Sequence, residues 1–546
     1  MWQQVYDPLH SSALSALVAA VPIIFFLLGL TVLKLSGIKS AVISLVLALV
    51  IGCGIFGMPV TAGAGSIIYG FLSGLWPIGW IVLMAVWLYR ISVRSGGFEI
   101  VRSSISSIST DQRIQMLLIA FCFGGFLEGA AGFGIPIAIC AALLVSLGFN
   151  PLKAAMFALI ANVSSGAYGA IGIPVTTAAT RGNVDLHGLS TELVLVIQII
   201  AALIPVLLVA IQDGLRGIRE VGLVALIVGL VYSGGQAVLL AGLGNPELVD
   251  IIPPLLALVV LALIMQKWQP KNLFREPTAP SLEEVEAQQS VKYSGGEILK
   301  AWSPFVYLSV VILLWSTAFK PLFAKGGLLA FSNITFPVPW LHKSIQQVAP
   351  IVAHPKAIDV TYTWSIIGAS GTAILVAAII TILTSSISWG EAIEELGATW
   401  KQLKTPIIMI CLVMSVANVM NYAGMITSIA LAVAAVGAIF PLLSPIIGWI
   451  GVFVTGSVVN NNILFAGLQA TTAQQISVNP TLLVASNTAG GVMAKIVSPQ
   501  SIAIAAASVN SAGQESKITS MAIKYSAALL VVTCVWVYVL SLVMPS

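Results

Sequence analysis

The sequence predicts an all-α polytopic membrane protein of about 12–14 helical segments, in two repeat-derived, inverted halves with broken or re-entrant helices at the midplane. Three observations carry this. Only 8% of the 546 residues are charged while 58% are hydrophobic, too few charges to cover a water-facing surface. Apolar runs long enough to cross a bilayer recur along the chain. And one glycine- and proline-broken stretch is used twice.

The first copy runs from about 123 to 175 and holds Glu128, Gly129, Gly132, Gly134 and Pro136, then Asn150-Pro151, Asn162 to Gly166, and Gly172-Ile173-Pro174. The second runs from about 452 to 501 and holds Ser457, Asn460 to Asn462, Asn479-Pro480, Asn487 to Gly491, and Ser498-Pro499. Asn150-Pro151 recurs 329 residues on, and Asn162, Gly166 and Pro174 recur 325 residues on, so one four-residue gap aligns the landmarks.

In chain order, spans are expected at about 13–33, 40–58 and 65–89, and no basic n-region precedes the first, which argues for a retained span over a cleaved signal. Lys34 and Lys39, then Arg90, Arg94, Arg102 and Arg113, place 34–39 and 90–113 in the cytoplasm and the N-terminus outside. After the first copy, spans fall at about 190–211, 221–240 and 250–266, with the loop 241–249 outside. Residues 1–266 thus form a first transmembrane half, and 267–300, with Lys267, Lys271, Arg275, Lys292, Lys300, Glu283, Glu284 and Glu286, reads as a cytoplasmic linker. The second half, 301–546, has spans at about 303–318, 363–384, 406–420, 425–442 and 526–544. Residues 319–360 are too polar and proline-broken to cross; alternation puts them outside despite four lysines. The span after copy one runs towards Arg216 and Arg219 and the span after copy two runs away from Lys517 and Lys524, the mark of inverted topology.

Candidate functional residues lie in the repeats. Asn150-Pro151 and Asn479-Pro480 read as helix starts, asparagine capping and proline at the first helical position. A helix starting within the membrane presents free amides and a positive dipole end to a carboxylate; the alternative use of the repeat glycines is close helix packing. Glu128 is the one carboxylate in the apolar part of copy one and the candidate proton carrier, against a structural ion pair. Lys495 could meet a substrate carboxylate or Glu128, against snorkelling to the surface. Asn162, Ser164, Ser165, Tyr168, Asn460, Asn461, Asn462, Asn487, Thr488 and Ser498 supply neutral donors and acceptors for a substrate or for broken backbone.

No cofactor or metal site is expected. The five cysteines lie unpaired in apolar runs and read as packing. Gly368-Ala369-Ser370-Gly371 matches an intramembrane protease pattern, but no histidine lies in a long apolar run, and no phosphate-binding loop of the ATPase type occurs. The chain is not read as an enzyme. A net charge of +4 suits anionic lipid, and nothing supports nucleic-acid binding.

Several stretches resemble the L-lactate permease family over nearly the whole length: Trp2-Gln3-Gln4 to Tyr6-Asp7-Pro8, Asp111-Gln112-Arg113 to Gln115-Met116-Leu117, Phe121 to Gly124, Phe126 to Gly134, Gly169 to Pro174, and Ser498 to Ala505. The resemblance implies a multi-pass bacterial inner-membrane secondary transporter for lactate and related 2-hydroxymonocarboxylates such as glycolate, coupled to protons. Two departures fall in the candidate site. Where the family usually has an aspartate after Thr-Gly-Ser, this chain has Val458, then Val459 and Asn460 to Asn462; and near Asn162 a Thr-Ala-Pro-Val-type run is replaced by Val163-Ser164-Ser165-Gly166. The expectation is therefore proton symport of a small 2-hydroxymonocarboxylate, with another organic anion, sodium-coupled, as the alternative. A passive channel is the third reading.

Overall fold

The computed structural model describes every residue except 133, 278, 280–292, 353, 512 and 545–546. The linker charges Glu283, Glu284, Glu286 and Lys292 lie outside the described residues. Among those described, nine helices are long and apolar enough to cross a membrane, and one bent pair adds a tenth.

Four helices open the chain: α1 (Ser12–Thr31), α2 (Gly37–Gly54), α3 (Val60–Ser73) and α4 (Trp80–Arg94), the last two joined through a wider π-type segment. A short amphipathic helix, α5 (Gly97–Ser106), follows. The first repeat then forms two units. In the first, α6 (Gln112–Ala130) rises and α7 (Ile135–Ser146) returns. Their ends meet where Gln112 Nε2 donates to the Leu147 carbonyl at 3.1 Å, so Gly132 and Gly134 sit at the tip of a hairpin. The second unit is a broken helix: α8 (Pro151–Ala161) and α9 (Gly169–Gly182), bent by 48°. The break ends in three consecutive left-handed residues, Ala170, Ile171 and Gly172, with φ of 47°, 60° and 71°. Such backbone is sustained only where surrounding protein over-determines it.

The expected spans at 190–211 and 221–240 appear as one run, α10 (Leu186–Ala237), interrupted at Gly214 (φ 61°, ψ −148°), and α11 (Ile252–Lys267) follows. In the linker, Asn272 and Phe274 dock on the first half: Arg113, fully buried, pairs with Asp111 (2.8 Å), Asp213 (2.7 Å) and Glu220 (2.8 Å) and donates to the Asn272 carbonyl. Glu276 binds Lys153 at 2.8 Å.

After the linker the chain runs through α12 (Gly295–Ser316), α13 (Ser370–Thr384) and α14 (Trp389–Tyr422). Helix α14 starts well before the expected 406, at a capping box of Ser388 and Glu391, and its Glu395 pairs with Arg90 (2.7 Å). The 319–360 stretch does not cross. It carries strands β2 (Asn333–Pro337), β3 (Ile345–Gln347) and β4 (Lys356–Ala357), with β5 (Thr361–Ser365) just beyond it. Strands β2 and β5 pair antiparallel with Phe336 opposite Tyr362. The N-terminal strand β1 (Trp2–Gln3) adds in parallel to β3, so the two segments expected outside share one side.

The single span expected at 425–442 is instead two helices, α15 (Met425–Ala434) and α16 (Phe440–Thr455), turned at Gly437 (φ 67°). Helix α16 forms a second hairpin with α17 (Val458–Gln475), tipped by Gly456 and tied by Ser444 Oγ to Gln469 Oε1 at 2.8 Å. Two further helices, α18 (Pro480–Lys495) and α19 (Pro499–Ser508), follow, and α20 (Glu515–Val543) closes the chain. Across these units α7 packs against α19 and α17 against α9.

Candidate functional site

The repeat units converge on a cavity of about 70 Å³ lined by Glu128, Gly134, Gly169, Ser457, Lys495 and Gln500, among others. A water needs roughly 10–15 Å³ by this measure, so the space suits a solute of a few heavy atoms.

The local sequence explains why helices start here. Gly134 takes a left-handed conformation (φ 85°) and starts α7; Ser457 caps α17 by accepting from Asn460 N at 3.3 Å; Ser498 caps α19 by accepting from Ser501 N at 3.3 Å. Pro136 and Pro499 occupy early helical positions, where a missing N–H costs nothing. With α9 starting beside Gly169, four helix N-termini face one small space. The positive ends of their dipoles point to it.

One ion pair closes the cavity. Lys495, in the last turn of α18, donates from Nζ to Glu128 Oε1 at 2.6 Å, and Asn162 Nδ2 donates to Glu128 Oε2 at 2.9 Å. Glu128 is 2% exposed and Lys495 8%. Gly169 lies so close to the Glu128 carboxylate that a side chain there would strike it. Glu128 is the only carboxylate among the described residues lining the cavity, and Val458 and Val459 line it as well.

The other candidates divide. Asn460 lines an adjoining cavity of about 550 Å³ that shares Ser457 and Gln500 with the central one and reaches Ser36, Gly37 and Gln402. Asn461, Asn462, Asn487 and Thr488 lie between helices: Asn462 Nδ2 donates to the Pro174 carbonyl (3.0 Å), Asn487 Nδ2 (3.0 Å) and Thr488 Oγ1 (3.1 Å) donate to Asn462 Oδ1, and Asn461 Nδ2 donates to the Asn487 carbonyl (3.3 Å). Tyr168 accepts from Gln198 Nε2 at 2.9 Å, away from the cavity. Ser164 and Ser165 sit in the break, with the Ser164 carbonyl accepting from Gln236 Nε2 at 3.2 Å. Ser498 acts as a cap.

The two copies also differ. Helix α18 continues unbroken through Asn487 to Gly491, where copy one breaks at Asn162 to Gly166. There the glycines serve close packing: Gly490 lies against the Pro445 carbonyl and Gly448 against that of Asn487. Gln500 and Ser501 line the cavity and were not singled out from the sequence; their place directly after the Ser-Pro cap was the available signal. Asp250 gave no signal at all, since it lies beside a loop.

A helical protein with this many candidate spans, broken beside a buried ion pair, belongs to the class of multi-pass membrane proteins. The L-lactate permease family profile matches residues 15–544, and the chain belongs to that family. It is 49% identical to an L-lactate permease of Halalkalibacterium halodurans over 99% of this chain and 100% of that one. It is 44% identical to the glycolate permease GlcA of Escherichia coli over 96% and 95% of the two chains. Among solved structures it resembles the YdaH transporter of Alcanivorax borkumensis at a TM-score of 0.44 and 16% identity, covering 87% of each chain.

Proposed function

We propose that the protein takes up L-lactate or a related small 2-hydroxymonocarboxylate such as glycolate across the inner membrane by proton symport. The observation that carries the reading is the Glu128–Lys495 pair at a cavity of four helix N-termini. When empty, the pair is neutral. A substrate carboxylate that takes Lys495 leaves Glu128 as an uncompensated buried charge, at a cost of several kcal/mol. Protonating Glu128 removes that charge, so only substrate and proton together restore neutrality. Binding either alone leaves a net charge in a low-dielectric site and stalls reorientation. The helix termini and Asn460 supply donors for the carboxylate and hydroxyl.

The hairpin of α6 and α7 enters from the cytoplasmic side and that of α16 and α17 from outside, as inverted halves demand. In this arrangement the cavity adjoining Gln402 leads to the cytoplasm, so the site faces inward.

The alternative, a different organic anion with sodium coupling, is favoured by one observation: Val458 lines the cavity where the family resemblance leads one to expect an aspartate. Uptake of labelled L-lactate into proteoliposomes separates them. The proposal expects accumulation under an inward proton gradient, abolished by a protonophore and by excess unlabelled glycolate. Accumulation driven only by sodium, or competed only by larger acids, selects the alternative.

A further inference from the structure

One more carboxyl is enclosed near the pair, in a place the mechanism above does not use. Asp250 ends the turn between α10 and α11 and is 1% exposed. Its Oδ1 accepts from Gln236 Nε2 at 2.7 Å and from the Tyr232 hydroxyl at 3.4 Å; its Oδ2 has no partner, and Asp250 forms no ion pair among the described residues. Two neutral donors do not compensate a carboxylate enclosed without a cation, so burial at this position favours the uncharged acid.

Its neighbours place it between the site and the outer face. Gly129, next to Glu128 in α6, packs directly on the Asp250 backbone, an approach only glycine allows. Gln236 bridges Asp250 to the Ser164 carbonyl, in the same break that carries Asn162, the Glu128 partner. On the other side, Glu247 accepts from the Ser370 hydroxyl and lines a separate cavity of about 250 Å³ with Lys320 and Trp315. The titratable groups that face Asp250 are Tyr232 from α10, Glu128 from α6 and, beyond it, Lys495 from α18.

We infer that Asp250 is the proton donor to Glu128 from the outer side, a role that rests on the proton-symport reading. The proton on Asp250 Oδ2 passes to the Glu128 carboxylate as Lys495 turns to the substrate. The resulting Asp250 carboxylate is held briefly by Gln236 and Tyr232 and regains a proton from the Glu247 cavity; no bond other than O–H is made or broken. Because Asp250 acts through Glu128, it is a positioning and relay group and does not touch substrate.

The test compares gradient-driven uptake with substrate counterflow in proteoliposomes, for wild type, Asp250→Asn and Glu247→Gln. Asparagine keeps the contacts of the neutral acid but cannot pass a proton. Counterflow needs only a loaded carrier that stays protonated, so Asp250→Asn keeps it. A positioned proton-transfer group is worth about 10²–10⁴-fold, so proton-driven uptake falls by about a hundredfold. Glu247→Gln shows the same split in milder form. Full gradient-driven uptake by Asp250→Asn overturns the inference, and so does equal loss of counterflow, which would make Asp250 a packing residue. If wild type itself ignores the proton gradient, it is the symport reading that fails.

Discussion

Lys495 and Glu128 make an energetic statement together that neither makes alone. Replacing Lys495 by Met strands a carboxylate at 2% exposure, and breaking a buried pair this way costs about 3–5 kcal/mol. The Glu128→Gln/Lys495→Met double variant removes both charges and recovers most of that stability. Thermal unfolding in detergent checks it: the single variant melts well below wild type and the double variant near it. Transport separates the residues differently. Glu128→Gln keeps counterflow and loses proton-driven accumulation, whereas Lys495→Met loses both, because the substrate carboxylate has lost its cation. Both residues were legible in the sequence, since each is a lone charge in an apolar stretch. Asp250 was not. It stands beside turn residues that look like an ordinary outer loop, and its enclosure is created by Gly129, Tyr232 and Gln236 arriving from other elements.

Among elements, local signals were the readable ones. The Asn-Pro starts at 150 and 479 form caps as the residue types require, with Asn150 Oδ1 accepting from Leu152 N at 3.1 Å and Asn479 Oδ1 from Thr481 N at 2.9 Å. The division of 425–455 into α15 and α16 was unreadable, because no charged residue marks the turn at Gly437 and hydropathy stays high through it. The asparagines of copy two are mostly interhelical ties, which spacing alone cannot distinguish from ligand contacts. Where α16 crosses α18, Gly490→Val would drive methyl groups into the Pro445 carbonyl. Overpacking of this kind costs about 1–3 kcal/mol, and a lower melting temperature with reduced folded yield is the expected outcome. Arg113 ties the foot of α6 to the kink of α10 and to the linker. Arg113→Met removes the shared cation from Asp111 and Asp213 and leaves Glu220 with Arg216, and is expected to lower thermal stability at least as much as Lys495→Met.

For the whole molecule, the fold class followed from composition and the repeat, while the site needed the fold. The two repeat copies place the starts of α7, α17 and α19 at one cavity; that convergence depends on α7 packing on α19 and α17 on α9, which no single stretch encodes. Under the proposed symport the site is neutral both empty and loaded, so one proton accompanies each monovalent anion and no net charge moves. The most direct measurement is L-lactate accumulation in proteoliposomes with either a pH gradient alone or a potassium-diffusion potential alone. Accumulation is expected to follow the pH gradient, with none from the potential. Accumulation driven by the potential at equal pH would show that net charge crosses with the substrate, and would contradict the neutral exchange at Glu128 and Lys495.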